Sequence, residues 1–323
     1  MIKSLKSNRI YTIFIIIFML IFISNPKIYM QSTLNGLTVW FYNVIPALLP
    51  FFIATRLLIS LQISNIPLLD KLTGKLFKLP TNSKLFLLSI ISGYPVGAKL
   101  ICSSYSNGEI SLKQAKKMMS YCSVSGPMFI IGSIGIGVFK SVKIGYILLI
   151  SHILGAIING IVFRNSYKNE EDDINQLKKN HTKPQNILAD SMLDSITSIL
   201  LVGGYIVFAY LVIELLNNIN LIPFLATIIS KLIPFLNQYT LQAFFNGLIE
   251  MTCGVISIST TNLNHNLQII LSSFIIAFGG LSIFLQSTTF TKELKIKKPY
   301  FLFQKFCQGI WTLIITLLIL LIF

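Results

Sequence analysis

Ser92-Gly93-Tyr94-Pro95-Val96-Gly97-Ala98-Lys99 lies inside an apolar run over residues 85–102 and decides how this chain folds. A helix that enters this stretch should break, because proline lacks a backbone N–H and clashes with the preceding turn, while glycine permits turns that other residues resist. Inside a bilayer, each backbone group freed by the break costs several kcal/mol unless protein, water or a ligand satisfies it. Broken helices at membrane depth are where many transporters bind their substrates.

The composition around this stretch is that of a polytopic membrane protein. Of the 323 residues, 54% are hydrophobic and 11% are charged, and the mean hydropathy is +0.74; a soluble domain of this length cannot bury so much apolar surface. The net charge of +15 comes from Lys and Arg in short loops. That pattern is typical of positive-inside topology and of contact with anionic lipid at the cytoplasmic face, not of nucleic-acid binding. The four cysteines and three histidines have no metal-ligand spacing, so no cofactor is predicted.

The apolar runs divide the chain into four parts. Residues 1–30 have the basic start and apolar run of a retained signal-anchor helix, and residues 31–163 form a first membrane repeat. Residues 164–190 are a polar cytoplasmic linker, and residues 191–323 form a second membrane repeat. A shift of 156 positions aligns the halves, so that an amphipathic piece, a broken helix, a glycine-broken span and a final span follow in the same order.

The distribution of Lys and Arg predicts the topology. If every apolar run crossed the membrane, the loops 164–190 and 292–298 would lie outside, against the positive-inside rule. If residues 85–102 and 241–259 are instead re-entrant hairpins, and residues 221–236 lie on the membrane surface, most basic loops become cytoplasmic. We therefore expect an all-α polytopic membrane protein with seven crossings, built as an inverted repeat with two re-entrant broken-helix hairpins.

Four motifs, in this order, carry a family resemblance. They are the stretch quoted above, then Cys122-Ser123-Val124-Ser125-Gly126-Pro127-Met128-Phe129-Ile130-Ile131-Gly132, Gly247-Leu248-Ile249-Glu250-Met251-Thr252-Cys253-Gly254 and Phe278-Gly279-Gly280-Leu281-Ser282. They resemble the YlbJ-like family of sporulation integral membrane proteins, within the wider Gate, or nucleoside-recognition, membrane families. The resemblance implies a fold similar to the gate domains of concentrative nucleoside transporters. It also implies a multi-pass protein of the mother-cell-derived outer forespore membrane that moves dipicolinic acid during sporulation.

The candidate substrate-binding residues lie at the predicted breaks. They are Ser92, Gly93, Tyr94, Pro95, Gly97, Lys99, Ser125, Gly126, Pro127, Asn246, Glu250, Thr252, Gly279, Gly280 and Ser282. Lys99 offers a cation to a carboxylate, although a lysine that snorkels to the headgroups has the same pattern. Tyr94 is either a stacking surface for an aromatic acid or a membrane-interface tyrosine. The Ser and Asn side chains can hydrogen-bond either a ligand or the freed backbone.

Two further charges lie within apolar segments. Glu250, in the second broken helix, either carries a coupling proton or pairs with Lys99 or Arg56. Arg56 is either a functional charge or a snorkelling one, since it lies near the cytoplasmic end of its span. At the shift of 156, Glu250 corresponds to Tyr94. We therefore expect Lys99 and Glu250 to approach each other from opposite sides of the membrane.

Secondary transport of a small anionic metabolite is the function that this pattern favours. The sequence has no P-loop that would indicate ATP-driven transport, and no His-Glu-x-x-His or Gly-x-Ser-x-Gly motif that would indicate an intramembrane enzyme. The alternative is a non-transporting membrane scaffold needed for assembly of the spore envelope, or cortex. The expected partners are a small anionic substrate and anionic lipid, without nucleic acid, and a homo-oligomer is compatible with the sequence.

Overall fold

The computed structural model describes residues 2–61, 66–79, 83–167, 186–233 and 235–322. Within these ranges the chain is helical and contains no β-strand, as predicted for an all-α polytopic membrane protein. Most of the linker 164–190 lies outside the described residues. In those ranges, five helices are long and apolar enough to cross a membrane: Pro26–Ser60, Val142–Asn165, Ile187–Asn218, His265–Phe290 and Lys298–Ile322.

The helices of the first half begin where proline or a capping side chain allows. Pro26 and Pro67 each stand at a first helical turn, where a missing N–H costs nothing. Ser111 accepts a hydrogen bond from the Gln114 backbone N–H and caps the helix that follows. The helices are α1 (Ile2–Ser24), α2 (Pro26–Val39), α3 (Ile45–Ser60), α4 (Pro67–Phe77), α5 (Ser83–Ser92), α6 (Val96–Ser106), α7 (Leu112–Cys122) and α8 (Val142–Val162), with π-helical segments at Trp40–Val44 and Phe129–Val138.

The second half of the chain is helical as well. Its helices are α9 (Ile187–Asn218), α10 (Leu221–Leu232), α11 (Gln238–Ile249), α12 (Met251–Ser259), α13 (His265–Phe278), α14 (Gly280–Phe290) and α15 (Lys298–Ile322). Asn186, Asn237 and Asn264 each cap the helix that follows by accepting a backbone N–H hydrogen bond. A shift of 156 carries the first residue of α8, Val142, onto the first residue of α15, Lys298. Because α9 begins at Ile187, the last residues assigned to the linker are already helical.

Two helix pairs, α5–α6 and α11–α12, fold back on themselves. A Cβ built on Gly97 would lie 3.1 Å from the Cβ of Ser89, and one built on Gly254 would lie 2.1 Å from the Cα of Gly247. Residues seven or eight positions apart in a straight helix would be separated by about 10–12 Å along the axis. The predicted breaks are therefore present as the tips of two helical hairpins, hairpin 1 (α5–α6) and hairpin 2 (α11–α12). Entry of these hairpins into a membrane from one side stays a prediction.

The open ends of the two hairpins contact different loops. At the end of hairpin 1, the Ser106 hydroxyl donates to Glu293 Oε2 at 2.5 Å, in the loop that precedes α15. Hairpin 2 leads into His265, whose ring lies 5.8 Å from the ring of Phe139, just before α8. Whether the two hairpins open at the same end of the molecule or at opposite ends therefore depends on the relative direction of α8 and α15.

Helices α8 and α15 pack antiparallel and join the two ends of the molecule. Phe163, just after α8, packs edge-on against Tyr300 at the start of α15, and a Cβ on Gly155 would collide with Thr312. The 21 residues of α8 extend about 31 Å, close to the thickness of about 30 Å of a hydrocarbon core. The two hairpins thus open at opposite ends of the molecule. Helices α8 and α15, which correspond at the shift of 156, run antiparallel. That the two halves form an inverted repeat stays a prediction.

Candidate functional site

Three of the helix interruptions line one internal space, which we call the central cavity, and α14, which follows a fourth interruption, lines it as well. It has a volume of about 30 Å³, room for about one or two water molecules, so a larger ligand enters only when the surrounding elements move apart. Most of its wall is apolar. Its polar lining comes from the two hairpin tips, from the unwound segment after α7 and from α14: Tyr94, Ser125, Glu250, Thr252 and Gln286.

Glycines allow each hairpin tip to pack directly on an unwound segment. Gly93 has φ +75°, and a Cβ there would lie 2.3 Å from the backbone nitrogen of Gly126. Gly280 also has φ +75°, and its Cβ would lie 3.0 Å from the carbonyl oxygen of Ile249. Side chains of L residues are strained at such φ values. Gly93 and Gly280 are therefore required by backbone contacts around the cavity, and a Cβ on the candidate Gly126 would lie 3.3 Å from the Ser92 carbonyl oxygen.

Glu250 lies at the tip of hairpin 2 and caps the helix that follows it. Its side chain is buried, at 2% exposure, and Oε2 accepts a hydrogen bond of 2.7 Å from the Cys253 backbone N–H. Thr252 also donates to this carboxylate. A negative charge is favourable at a helix N-terminus. Among the described residues Glu250 forms no ion pair, so the expected pairing with Lys99 or Arg56 is not found.

Lys99 and Arg56 share a different carboxylate. Lys99 Nζ lies 3.9 Å and Arg56 Nη1 3.5 Å from Asp194 Oδ2 on α9. Neither cation lines the central cavity. The structure therefore corrects the expected approach of Lys99 to Glu250, because α9 supplies the partner instead of hairpin 2. A direct role of Lys99 in substrate binding stays a prediction.

The remaining candidates of the first half hold the breaks in shape. The Ser92 hydroxyl donates to the carbonyl one turn earlier in its own helix. A Cβ on Gly97 would lie 2.6 Å from the last carbonyl oxygen of α7. Pro95, which follows Tyr94 through a cis peptide bond, immediately precedes α6. Pro127 begins the helical turn that leads into the π-helical segment at Phe129.

Ser125 lies in the unwound segment between Cys122 and Pro127. Its backbone N–H donates to His152 Nε2 of α8 at 2.8 Å, and both residues are fully or almost fully buried. An imidazole nitrogen thus satisfies one of the backbone groups that the break frees. His152, which the sequence analysis did not count among the candidates, is therefore a structural partner of the break.

In the second half, Gly279 forms the break between α13 and α14, and Ser282 follows it in α14. The Ser282 hydroxyl accepts a hydrogen bond of 3.3 Å from Gln286 Nε2, which lines the cavity. Gly279 ends α13 with φ +85°. Within the described ranges, no three His, Cys, Asp or Glu side chains lie together as metal ligands would.

The sequence analysis missed a buried cation, Lys305 of α15, which is 3% exposed. Its Nζ donates to the Tyr94 hydroxyl at 2.6 Å, to the Ser123 carbonyl at 2.8 Å and to Gln308 Oε1 at 2.7 Å. The Tyr94 hydroxyl in turn donates to the Ala277 carbonyl at 3.1 Å. Within the part of the chain that the structure describes, no carboxylate lies within ion-pair distance of Lys305. All three donors of this ammonium group therefore bind neutral oxygens.

A polar stripe in the last span was the signal for Lys305. Polar residues recur every three to four positions on one face of α15, and all are buried: Gln304, Lys305, Gln308, Thr312 and Thr316. Polar residues on one face of a membrane helix should face the protein interior. Mean hydropathy averages over both faces of the helix, so the span looked merely apolar.

Two larger recesses lie at the opposite ends of the molecule. The basic recess, about 360 Å³, is lined by Lys292, Lys295 and Lys298 beside the loop that hairpin 1 contacts. The neutral recess, about 410 Å³, is lined by uncharged polar residues of hairpin 2 that include Gln242 and the candidate Asn246. Asn246 thus faces this outer recess and not the central cavity.

Comparisons with known proteins agree with the motifs. No family model and no solved structure matches the chain. The sporulation integral membrane protein YlbJ of Bacillus subtilis (strain 168) is 28% identical to it, over an alignment that covers 92% of this chain and 79% of that protein. The predicted resemblance to YlbJ-like sporulation integral membrane proteins is therefore confirmed.

Proposed function

We propose that this chain is a sporulation membrane protein that transports a small carboxylate, with dipicolinic acid as the first candidate. The observation that carries the proposal is the convergence of four interrupted helices on the central cavity. Helix ends inside a membrane leave oriented N–H and C=O groups near the midplane, and secondary transporters use such groups to bind anions and coupling ions. The sporulation role and the substrate come from the resemblance to YlbJ-like proteins.

The two recesses support a path through the protein. Three lysines of the basic recess raise the local concentration of anions at one end, whereas the neutral recess at the other end lacks a charge that would retain them. Hairpin 1 and hairpin 2 separate the central cavity from opposite ends. In this scheme the hairpins act as the two gates, and outward and inward access alternate as one or the other moves.

Glu250 supports coupling of transport to protons. An ionised carboxylate and an anionic ligand disfavour each other within one low-dielectric cavity, so an anion binds best when Glu250 carries a proton. Anion and proton would then move together. The hydrogen bond from the Cys253 N–H persists in either form, because one oxygen remains an acceptor.

Uptake into liposomes that contain the purified protein tests the proposal. We expect uptake of labelled dipicolinate that a proton gradient increases, and no uptake of the neutral analogue pyridine-2,6-dicarboxamide. Glu250→Gln should slow uptake on the order of tenfold or more while binding changes much less, because the amide keeps the shape but cannot exchange a proton. Glu214→Gln, on α9 outside the cavity lining, is the matched control. If the wild-type protein neither binds nor takes up dipicolinate, that result would favour the alternative function, a scaffold for the spore envelope.

A further inference from the structure

The charge of Lys305 is only partly compensated. The ammonium group is buried in the helix bundle, and its hydrogen-bond acceptors are a hydroxyl, a backbone carbonyl and a side-chain amide. Charges inside membrane-spanning helices pair with one another or with backbone carbonyls, and an opposite charge within about 4–6 Å adds a Coulomb attraction that neutral oxygens do not supply. The surroundings of Lys305 therefore retain a preference for an anion.

Tyr94 is the replaceable member of this set of acceptors. The Ser123 carbonyl belongs to the backbone, and Gln308 lies one turn away on the same helix as Lys305. Tyr94, by contrast, lies at the tip of hairpin 1 and lines the central cavity. Its ring also lies over the cation, 4.8 Å from Nζ to the ring centroid. A ligand in the cavity that reaches Lys305 must therefore displace the Tyr94 side chain.

We propose that Lys305 is the anion-binding residue of this protein and that Tyr94 is a latch that the anion releases. A carboxylate of the ligand replaces the Tyr94 hydroxyl at Lys305 Nζ. The same movement breaks the bond from Tyr94 to the Ala277 carbonyl, which lies just before the break between α13 and α14. Ligand binding thereby frees the tip of hairpin 1 from two other elements. This inference rests on the proposed function and defines its ligand class as small molecules with at least one carboxylate.

Binding measurements on the detergent-purified full chain test the role of Lys305. Calorimetry would compare dipicolinate with the neutral pyridine-2,6-dicarboxamide. Lys305→Gln should weaken dipicolinate binding on the order of ten- to a hundredfold, as expected for a lost charged hydrogen bond, and leave binding of the diamide unchanged. Lys143→Gln, an exposed lysine on α8, should change neither.

Tyr94→Phe separates the latch from a merely structural contact. This substitution keeps the ring but removes the hydroxyl that competes with the ligand for Lys305. We therefore expect dipicolinate to bind more tightly, by about two- to tenfold, the range of one ordinary hydrogen bond. Tyr146→Phe, at an exposed position on α8, should leave the affinity unchanged. A structural role alone predicts unchanged or weaker binding by Tyr94→Phe.

The outcomes distinguish this inference from the function on which it rests. Dipicolinate binding by the wild-type protein, with equal binding by Lys305→Gln, would overturn the inference and leave the transporter proposal intact. Absence of binding and of liposome uptake by the wild-type protein would overturn both. If Lys305→Gln does not fold, Tyr94→Phe decides alone: tighter binding supports the latch, and equal or weaker binding overturns it.

Discussion

The tips of the two hairpins place different chemistry at corresponding positions. Tyr94 and Glu250 are related by the shift of 156, and both line the central cavity. Tyr94 reaches outward, to Lys305 on α15 and to Ala277 on α13, so hairpin 1 is held by other elements. Glu250 is satisfied by the helix that it caps. Both tips are thus breaks between two helices, but they differ in their side chains. The tip of hairpin 1 is held by contacts that we propose a ligand releases, whereas the tip of hairpin 2 carries its own carboxyl group.

The largest expected effect tests whether the hairpins open toward opposite faces of the membrane. A cysteine in place of Lys295, in the basic recess, should resist an impermeant thiol reagent in intact cells, because the Lys and Arg distribution predicts that this end is cytoplasmic. A cysteine in place of Asn262, which lines the neutral recess, should be labelled. The result at each position is all-or-none.

Two controls define this labelling experiment. The unsubstituted chain reports on its own four cysteines, of which Cys102 and Cys122 are buried, and permeabilised cells should expose position 295. Equal labelling at 295 and 262 in intact cells would break the comparison, because both hairpins would then open to one face. Labelling at 295 alone would reverse the orientation and preserve the opposition of the hairpins.

The next largest effect concerns the close backbone packing that glycines allow in each hairpin. Gly93→Ala meets a positive φ and a backbone atom of Gly126, so it should lower the free energy of unfolding by about 2–5 kcal/mol. Gly254→Ala introduces the steric conflict with Gly247 without a positive φ, so we expect a loss of about 1–3 kcal/mol. Thermal unfolding in detergent would measure both.

Gly204→Ala is the matched control, because nothing lies within 4 Å of the Cβ that it adds in the middle of α9. It should be neutral or stabilise the helix by up to about 1 kcal/mol. Wild-type stability for Gly93→Ala would mean that the tip of hairpin 1 does not pack on Gly126. A smaller loss for Gly93→Ala than for Gly254→Ala would reverse the expected order of the two hairpins.

The breaks were predictable from sequence, whereas the partners of the side chains were not. Glycine, proline and a carboxylate before a helix act through the local backbone, so the interruptions at Gly93, Glu250 and Gly279 follow from short motifs. The partners of Lys305 and Asp194 depend on which helices pack against each other, and the sequences of apolar spans carry little information about that packing. Asn246 lies one helical turn before Glu250, and because of that displacement its side chain lines the neutral recess instead of the central cavity.

The smallest expected effect comes from the arm of hairpin 1. At the shift of 156, Lys99 corresponds to the fully buried Val255, so only one hairpin carries a charge there. From the sequence, Lys99 either offers a cation to a substrate carboxylate or snorkels to the headgroups. The structure directs it to Asp194, whose side chain is 54% exposed and which keeps Arg56 as a second partner. Ion pairs of that exposure contribute about 0–1 kcal/mol.

Lys99→Ala should therefore change the free energy of unfolding by less than about 1 kcal/mol and dipicolinate affinity by less than roughly fivefold. A double-mutant cycle with Asp194→Asn measures the coupling between the two residues and separates it from the loss of the lysine stem. A loss of affinity as large as that expected for Lys305→Gln would contradict this prediction. The substrate would then bind along the arm of hairpin 1, where hairpin 2 has only Val255, and not behind the tip where Tyr94 holds Lys305.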